Sequence, residues 1–431
     1  MAQSAASHPS PPARGAGGEG STIDLHDGTA ALRRELKRSR RREQLLAAAL
    51  VLPLFIFLLA TFIVPIGAML GRALFDREVA EILPRVTSEL AHWDGRGLPP
   101  DAAYKALIDD VRAAREAGTL ASAATRLNYD IAGFRTLLFA TGRRLGGDVT
   151  GSPREILGAI DPKWNDQETW AVIRRAAGPV TDFYLLAALD LRRDANDAIT
   201  ATAPEQAVFR NVLGRTLWIS GVVTLVCLLL GYPVAFFIAR QPPGRAALLL
   251  FLVLLPFWTS LLVRTVAWVV LLQREGILNN LLLSLGLISE PVRMIFNRFA
   301  VYVAMVHVLL PFMVLPLYAV MKGISPSYLR AASSLGAAPL TAFRRVYVPQ
   351  TAAGIGAGCL MVFIQALGYY ITPALVGGAD DQMISYFIAF YASKTVNWGM
   401  AAALSIMLLA ATVALYAVYD RMVGIDKMRM G

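Results

Sequence analysis

Residues 329–349, "LRAASSLGAAPLTAFRRVYVP", separate two long apolar runs of the chain, residues 299–321 and 352–377. The stretch carries an arginine pair and several hydroxyl groups, so it is too polar to cross a bilayer. It is also too short to form a domain. It therefore predicts a loop that joins two membrane helices at one face of the membrane.

This loop carries its own helix start and stop signals. Ser325-Pro326 predicts a helix start, because serine caps a helix N-terminus and proline suits the first helical position. Gly336 stands where a left-handed residue ends a helix, and a second helix is expected from about Pro339. The small side chains of Ala331 and Ala332 would let another backbone approach closely. The pattern predicts two short helices around a glycine corner, a surface suited to docking.

The composition of the whole chain indicates a membrane protein. Of its 431 residues, 56% are hydrophobic and only 17% are charged. A helix of about 20 apolar residues spans the roughly 30 Å hydrocarbon core of a bilayer. The sequence contains six such runs, which are too long and continuous for barrel strands: residues 45–71, 216–239, 246–272, 299–321, 352–377 and 401–419. We expect an all-α polytopic membrane protein with six transmembrane helices.

Loop charges predict the orientation of these helices. Seven basic residues between Arg33 and Arg42 precede the first apolar run, which places the N-terminus in the cytoplasm. Alternation then places residues 322–345 and 421–429, both rich in Lys and Arg, on the same side. Both termini are therefore expected in the cytoplasm, with much of the net charge of +10 facing anionic membrane lipid.

The chain divides into five parts by composition. We predict a disordered and then basic cytoplasmic segment at residues 1–44, a first transmembrane helix at 45–71, and an extracytoplasmic helical insertion at 72–211. A five-span core follows at 212–421, with the loop 322–351 on its cytoplasmic face, and a short cytoplasmic tail at 422–431 completes the chain. Within the insertion, "DAAYKALIDDVRAAREAG" after Pro99-Pro100 and "QETWAVIRRAAGPVTDFYLLAALDLRRDAND" have the apolar spacing of helices.

Several function classes are disfavoured by missing motifs. The sequence has no G-x-x-x-x-G-K-[ST] loop to bind nucleotide phosphates, and no CxxC or HExxH motif. We therefore expect no enzyme activity, no metal and no cofactor, and any ATP hydrolysis must come from a separate subunit. An ion-coupled secondary transporter remains an alternative, although the apolar runs of the core lack the acidic residues that ion coupling would need.

A few polar and aromatic side chains at similar height in the predicted spans mark a candidate substrate path: Arg264, Trp268, His307, Gln365, Tyr369 and Tyr370. A charged residue inside the membrane is costly, so Arg264 is expected to face the bundle or a wet cavity. Other roles are open. Arg264 could pair with an acid at the outer loops, His307 could hydrogen-bond between helices, and the tyrosines could lie at the membrane interface.

The loop also resembles the "EAA" loop of ABC-importer permeases, in which Glu-Ala-Ala, three residues, Gly, nine residues and Ile-x-Leu-Pro follow one another. Residues in the matching places are Ala331-Ala332, Gly336, Val346 and Pro349, whereas Arg330 occupies the place of the usual Glu. The resemblance implies that the loop docks on the ATP-binding subunit. It assigns coupling to Arg330, Ala331, Ala332, Gly336, Ala337 and Pro349.

The likeness extends over residues 213–421. "VLLPFWTSLLVRTVAWVVLLQREGILNNLLLSLGLI" (253–288) and "LLPFMVLPLYAVMKGISPSYLRAASSLGA" (309–337) resemble permeases of spermidine/putrescine-type importers. This resemblance implies a five-span type I ABC-importer core, of the methionine-importer type, in a bacterial inner membrane. The implied partners are an ATP-binding subunit, a second permease subunit in a heterodimer, and an extracytoplasmic solute-binding protein. The implied cargo is a small solute, polyamine-like or a related organic compound.

Overall fold

The structure is a computed structural model that describes residue 44 and residues 47–146 and 151–423. It consists of two compact units, Met1–Ile66 and Gly67–Gly431. Residues 47–66 of the first unit lie in helix α1 (Ala47–Gly71), which contains a π-helical turn at Leu59–Ile63. The predicted N-terminal segment, apart from residue 44, and the predicted tail from residue 424 lie outside the described residues.

Residues 72–208 form a mostly helical region of the second unit. Its helices are α2 (Glu78–Ile82), α3 (Pro84–Leu90), α4 (Asp101–Glu116), α5 (Leu120–Asp130), α6 (Phe134–Arg144), α7 (Pro153–Ile160), α8 (Gln167–Ala176) and α9 (Phe183–Ala188). A hydrophobic core of its own runs from Val79 to Ala176. At its centre the ring of Trp170 lies 4.5 Å from that of Tyr104 and 5.4 Å from that of Trp164.

The region of the predicted helical insertion also contains a short β-hairpin. The second helical pattern breaks after Ala176 and again after Ala188, and it continues into an antiparallel hairpin of β1 (Leu191–Arg193) and β2 (Ile199–Ala201). The periodic signal failed there because Asp194 holds the turn, accepting hydrogen bonds from the backbone N–H groups of Asn196 and Ala198, both at 2.9 Å.

The remaining helices carry most of the apolar sequence. They are α10 (Phe209–Ala239), α11 (Pro243–Leu254), α12 (Leu261–Leu272), α13 (Ile277–Ser284), α14 (Arg298–Gly323), α15 (Ser327–Ser334), α16 (Pro339–Gln350), α17 (Ala352–Leu367), α18 (Ile371–Val376), α19 (Ile384–Ser393) and α20 (Trp398–Val423). Among the described residues, four helices are long and apolar enough to cross a membrane by themselves, namely α1, α10, α14 and α20. The total reaches six only if each of two bent helix pairs counts as one span.

The third predicted span, residues 246–272, is not one continuous helix. The segment that ends at Trp258 and the segment that begins at Leu261 meet at an angle of 93°. Leu255–Trp258 forms a tight 3-10 turn around Pro256, and Thr259 and Ser260 are extended. Proline cannot donate the i→i−4 hydrogen bond, and Pro256 lies in the first turn of this 3-10 segment.

The fifth predicted span, residues 352–377, is also interrupted. Helix α17 ends at Leu367, and the chain resumes as the short helix α18. On its other side, α17 meets α16 at an angle of 63°. Hydrophobicity alone does not register either break, because the apolar composition continues across them.

Helices α10, α14 and α17 form the centre of the apolar core. Glycines let their backbones approach closely: a side chain at Gly231 on α10, or at Gly358 on α17, would collide with Met313 on α14. Small residues at helix contacts are typical of membrane bundles, where tight packing replaces the hydrophobic effect as the driving force.

The mostly helical region is anchored on this core. The Thr181 N–H donates to the Leu74 carbonyl at 2.7 Å, which brings the two ends of the region together. Tyr184 and Ala188 of α9 share a buried cluster with Met400 and Leu404 of α20. The region and the core are therefore in direct contact at this junction.

Asp190 fastens the junction to α10. It is 4% exposed and adopts a left-handed backbone conformation with φ of +56°. Its carboxylate accepts hydrogen bonds from the backbone N–H groups of residues 208, 209 and 210 at 3.0, 3.0 and 2.8 Å. A buried carboxylate at a helix N-terminus satisfies donors that would otherwise be unpaired.

We expect Asp190→Ala to lower the free energy of unfolding by about 2 kcal/mol, because buried backbone donors lose their acceptor. Denaturant unfolding of the detergent-solubilised protein measures this change. The matched control is Asp166→Ala, since Asp166 is exposed and precedes α8 without capping it through its side chain. Equal stability of the two variants would contradict the anchoring role.

Candidate functional site

The loop between α14 and α17 has the predicted glycine corner. Helix α15 begins at Ser327, two residues after Ser325, whose hydroxyl accepts the Ser327 N–H at 3.3 Å. Gly336 has a φ of +84°, and its N–H donates to the Ser333 carbonyl at 3.0 Å. The Ala337 N–H donates to the Ala332 carbonyl at 3.1 Å, which completes a Schellman motif. The backbone therefore turns sharply toward α16.

The tip of this loop exposes large apolar side chains. Leu335 is 89% exposed, Leu340 67% and Tyr328 53%. Exposed apolar groups on a polar loop are typical of an interaction surface. The residues that the sequence assigned to coupling lie around them: Arg330, Ala331, Gly336 and Pro349 are exposed, and Ala332 and Ala337 are partly buried.

An aromatic cluster attaches the loop to the membrane core. Phe343 and Tyr347 of α16 stack at 5.7 Å, and Phe236 of α10 packs edge-on against them at 5.3 and 5.2 Å. The guanidinium of Arg240 lies 3.8 Å from the centre of the Phe236 ring. Aromatic contacts of this kind are directional. These contacts join the loop to the end of α10.

The structure brings four of the six predicted path residues into one cluster. Arg264 and Trp268 lie one turn apart on α12, and the Trp268 indole donates to His307 Nδ1 on α14 at 3.2 Å. Tyr369 and His307 both lie within electrostatic range of the Arg264 guanidinium. The Nε of Arg264 is buried and has no hydrogen-bond partner within the described part of the chain.

The other two path residues lie outside this cluster. Gln365 is exposed on α17, and Tyr370 is 42% exposed beyond its end. Gln365 and Tyr369 do not share one helix face, because α17 ends at Leu367, before Tyr369. The apolar composition of this segment hid the break in the helix.

Sequence reasoning missed a charged cluster at the end of the core opposite the loop. The Arg298 Nε donates to Asp381 at 2.9 Å, and the Arg215 guanidinium donates to the Asp380 carbonyl at 2.6 Å. Asp381 is 5% exposed and also accepts the Gly378 N–H at 3.1 Å. In the sequence, Arg215 and Arg298 each stand directly before a predicted apolar run. Their acidic partners lie far away in sequence, so the pairing could not be predicted.

No protein-family model matches the chain. The solved structure of a bacterial ABC transporter involved in the import of the acidic polysaccharide alginate is 18% identical, with a TM-score of 0.41 over 50% of this chain and 78% of that one.

Two relatives match about half of the chain. The spermidine/putrescine transport system permease protein PotB of Haemophilus influenzae is 40% identical over 214 residues, which cover 50% of this chain and 75% of that protein. The inner membrane ABC transporter permease protein YdcU of Escherichia coli is 32% identical over 231 residues, which cover 50% of this chain and 72% of that protein. These matches confirm the resemblance, and the chain belongs to the family of ABC-transporter permease subunits that includes PotB.

Proposed function

We propose that this chain forms one half of the translocation path of a polyamine-type importer and couples it to ATP hydrolysis through the loop between α14 and α17. The observation that carries the proposal is the exposed apolar tip around Leu335, held on a rigid glycine corner. As a member of this permease family, the chain is a transport subunit and not an enzyme. An ATP-binding subunit is therefore the partner that this tip would contact.

The proposed topology has six spans, with each bent helix pair crossing the membrane as one unit. The basic loop and both termini would face the cytoplasm, as the positive-inside rule predicts. Residues 72–208 would then lie outside the cytoplasm, on the side from which a solute-binding protein delivers its cargo. A second permease subunit, most simply in a heterodimer, would complete the path.

The cluster around Arg264 is the proposed path. Trp268 and Tyr369 present aromatic faces, which attract organic cations. The Arg264 guanidinium repels the same cations, so a polyamine would bind weakly here and pass on instead of being trapped. Polyamine transport is suggested by the name of PotB, and the aromatic groups of this cluster are compatible with it.

We expect Arg264→Leu to reduce spermidine or putrescine uptake at least about tenfold, because without the repelling charge the cation would be trapped at this cluster. The measurement uses proteoliposomes that contain the full importer, with ATP on the side of the ATP-binding subunit. Arg274→Gln, which changes an exposed arginine beyond the end of α12, is the control. Full uptake by the Arg264 variant would remove this cluster from the path.

A further inference from the structure

A polar cavity of about 390 Å³ lies between α5 and the start of α20, away from the Arg264 cluster. Arg72, Glu78, Tyr129, Asn397 and Trp398 are among the residues that line it. Its volume falls within the range of about 300–1,000 Å³ that small-molecule sites occupy. We propose that this cavity binds the headgroup of a phospholipid that carries both a phosphate and a primary ammonium group.

The position of the cavity indicates a lipid. Arg72 directly follows the apolar helix α1, and Trp398 is the first residue of the apolar helix α20. Both helices are long enough to cross a membrane, so their ends lie near the boundary between lipid and water. Tryptophan is enriched at this boundary. A ligand in the cavity is therefore within reach of the headgroup layer.

The rim of the cavity is apolar although its interior is polar. Phe75 and Val396 are each 63% exposed, and Trp398 is 40% exposed. A free polar solute would gain nothing from such a rim. A phospholipid fits both parts, because its headgroup can enter the polar interior while its acyl chains cover the exposed apolar groups.

The charges inside the cavity match a zwitterionic headgroup. Glu78 forms no salt bridge with Lys or Arg in the described residues, so its carboxylate can accept an ammonium group beside the nearby Ser122 hydroxyl. Desolvation by the cavity walls and the neighbouring Asp76 carboxylate raise the pKa of Glu78. A bound cation would lower this pKa again, because it stabilises the charged carboxylate. Arg72 supplies the opposite charge for the phosphate.

The back wall of the cavity is fixed in place. Arg126 is 2% exposed and pairs with Asp76 and, at 2.9 Å, with Asp130. Its guanidinium also lies 4.9 Å from the centre of the Tyr184 ring, and the Tyr184 hydroxyl donates to Asp76 at 3.1 Å. These contacts engage the charges of Arg126 and Asp76, so Arg72 and Glu78 remain to recognise the ligand.

Native mass spectrometry of the full-length protein, with short-chain phosphatidylethanolamine, phosphatidylcholine and phosphatidylglycerol as probes, tests the proposal. The wild type should bind phosphatidylethanolamine most tightly, since only its ammonium donates hydrogen bonds to Glu78. Glu78→Gln should weaken that binding about tenfold and abolish the preference over phosphatidylcholine. Arg72→Gln should weaken both lipids alike, because both carry the phosphate.

Two controls keep the result specific. Glu89→Gln and Arg112→Gln remove exposed charges from the same region that do not line the cavity, and they should bind lipid like the wild type. Equal affinity of the wild type for the three lipids, or unchanged binding by Glu78→Gln, would overturn the proposal. Displacement of phosphatidylethanolamine by spermidine through Glu78 would also overturn it, since the ligand would then be a soluble cation.

Discussion

Gly336→Pro should abolish ATP-driven uptake while the protein still inserts into the membrane. Gly336 has a φ of +84°, whereas proline is restricted to a φ near −65° and has no N–H to donate to Ser333. The Schellman motif cannot form, so α15 and α16 lose their relative orientation. The apolar tip around Leu335 then no longer presents one surface to the ATP-binding subunit.

The chain supplies a closely matched control for this variant. Gly286 ends α13 with a φ of +67°, and the N–H groups of residues 286 and 287 donate to Leu283 and Leu282 at 3.0 Å each. This is the same backbone motif in a different loop. Gly286→Pro should leave binding of the ATP-binding subunit unchanged, although it strains its own corner to a similar degree.

A second pair of variants separates the side chain from the backbone. Leu335 is 89% exposed directly before Gly336, and Leu285 is 62% exposed directly before Gly286. Leu335→Asp should prevent co-purification of the ATP-binding subunit, because a charge would be buried in an apolar contact. Leu285→Asp should permit it. Normal uptake and co-purification with Gly336→Pro and Leu335→Asp would rule out docking at this tip.

Removing the mostly helical region should have the other large effect. Replacing residues 78–177 with a short Gly/Ser linker is geometrically possible, because Phe75 and Val180 already pair across the gap. The buried cluster of Tyr184 and Ala188 with α20 remains in this variant, as does Asp190 on α10. The five-span core should therefore insert and retain its ATP-binding subunit.

Uptake by this deletion variant should fall at least about tenfold, corresponding to about 1.4 kcal/mol or more of lost coupling. The reason is that the region is anchored at the ends of α10 and α20, where the proposed delivery of solute takes place. The measurement is ATP hydrolysis with and without the solute-binding protein, because a delivery role predicts loss of stimulation with unchanged basal hydrolysis. Full stimulation of ATP hydrolysis in the deletion variant would show that the region has no role in delivery. It would then be a passive insertion, which a loop tolerates at small entropic cost.

Local signals allowed much of the coupling loop to be predicted. Gly336 was expected in a left-handed conformation, and the structure confirms it. This could be predicted because the preference for glycine at φ above zero is a property of that residue alone. The apolar runs likewise predicted α10, α14 and α20 as continuous helices. Hydropathy did not indicate the bend near Pro256, since it is averaged over a window and registers no change of direction.

The sequence by itself determined the class of protein and the glycine corner. Each of these depends on composition or on neighbouring residues. The tertiary structure decided which path residues meet, as in the Trp268–His307 hydrogen bond, and it excluded Gln365 from that cluster. It also decided that Arg126 pairs with Asp76, which lies 50 residues away. Such contacts depend on the packing of distant segments, and no local preference of either residue encodes them.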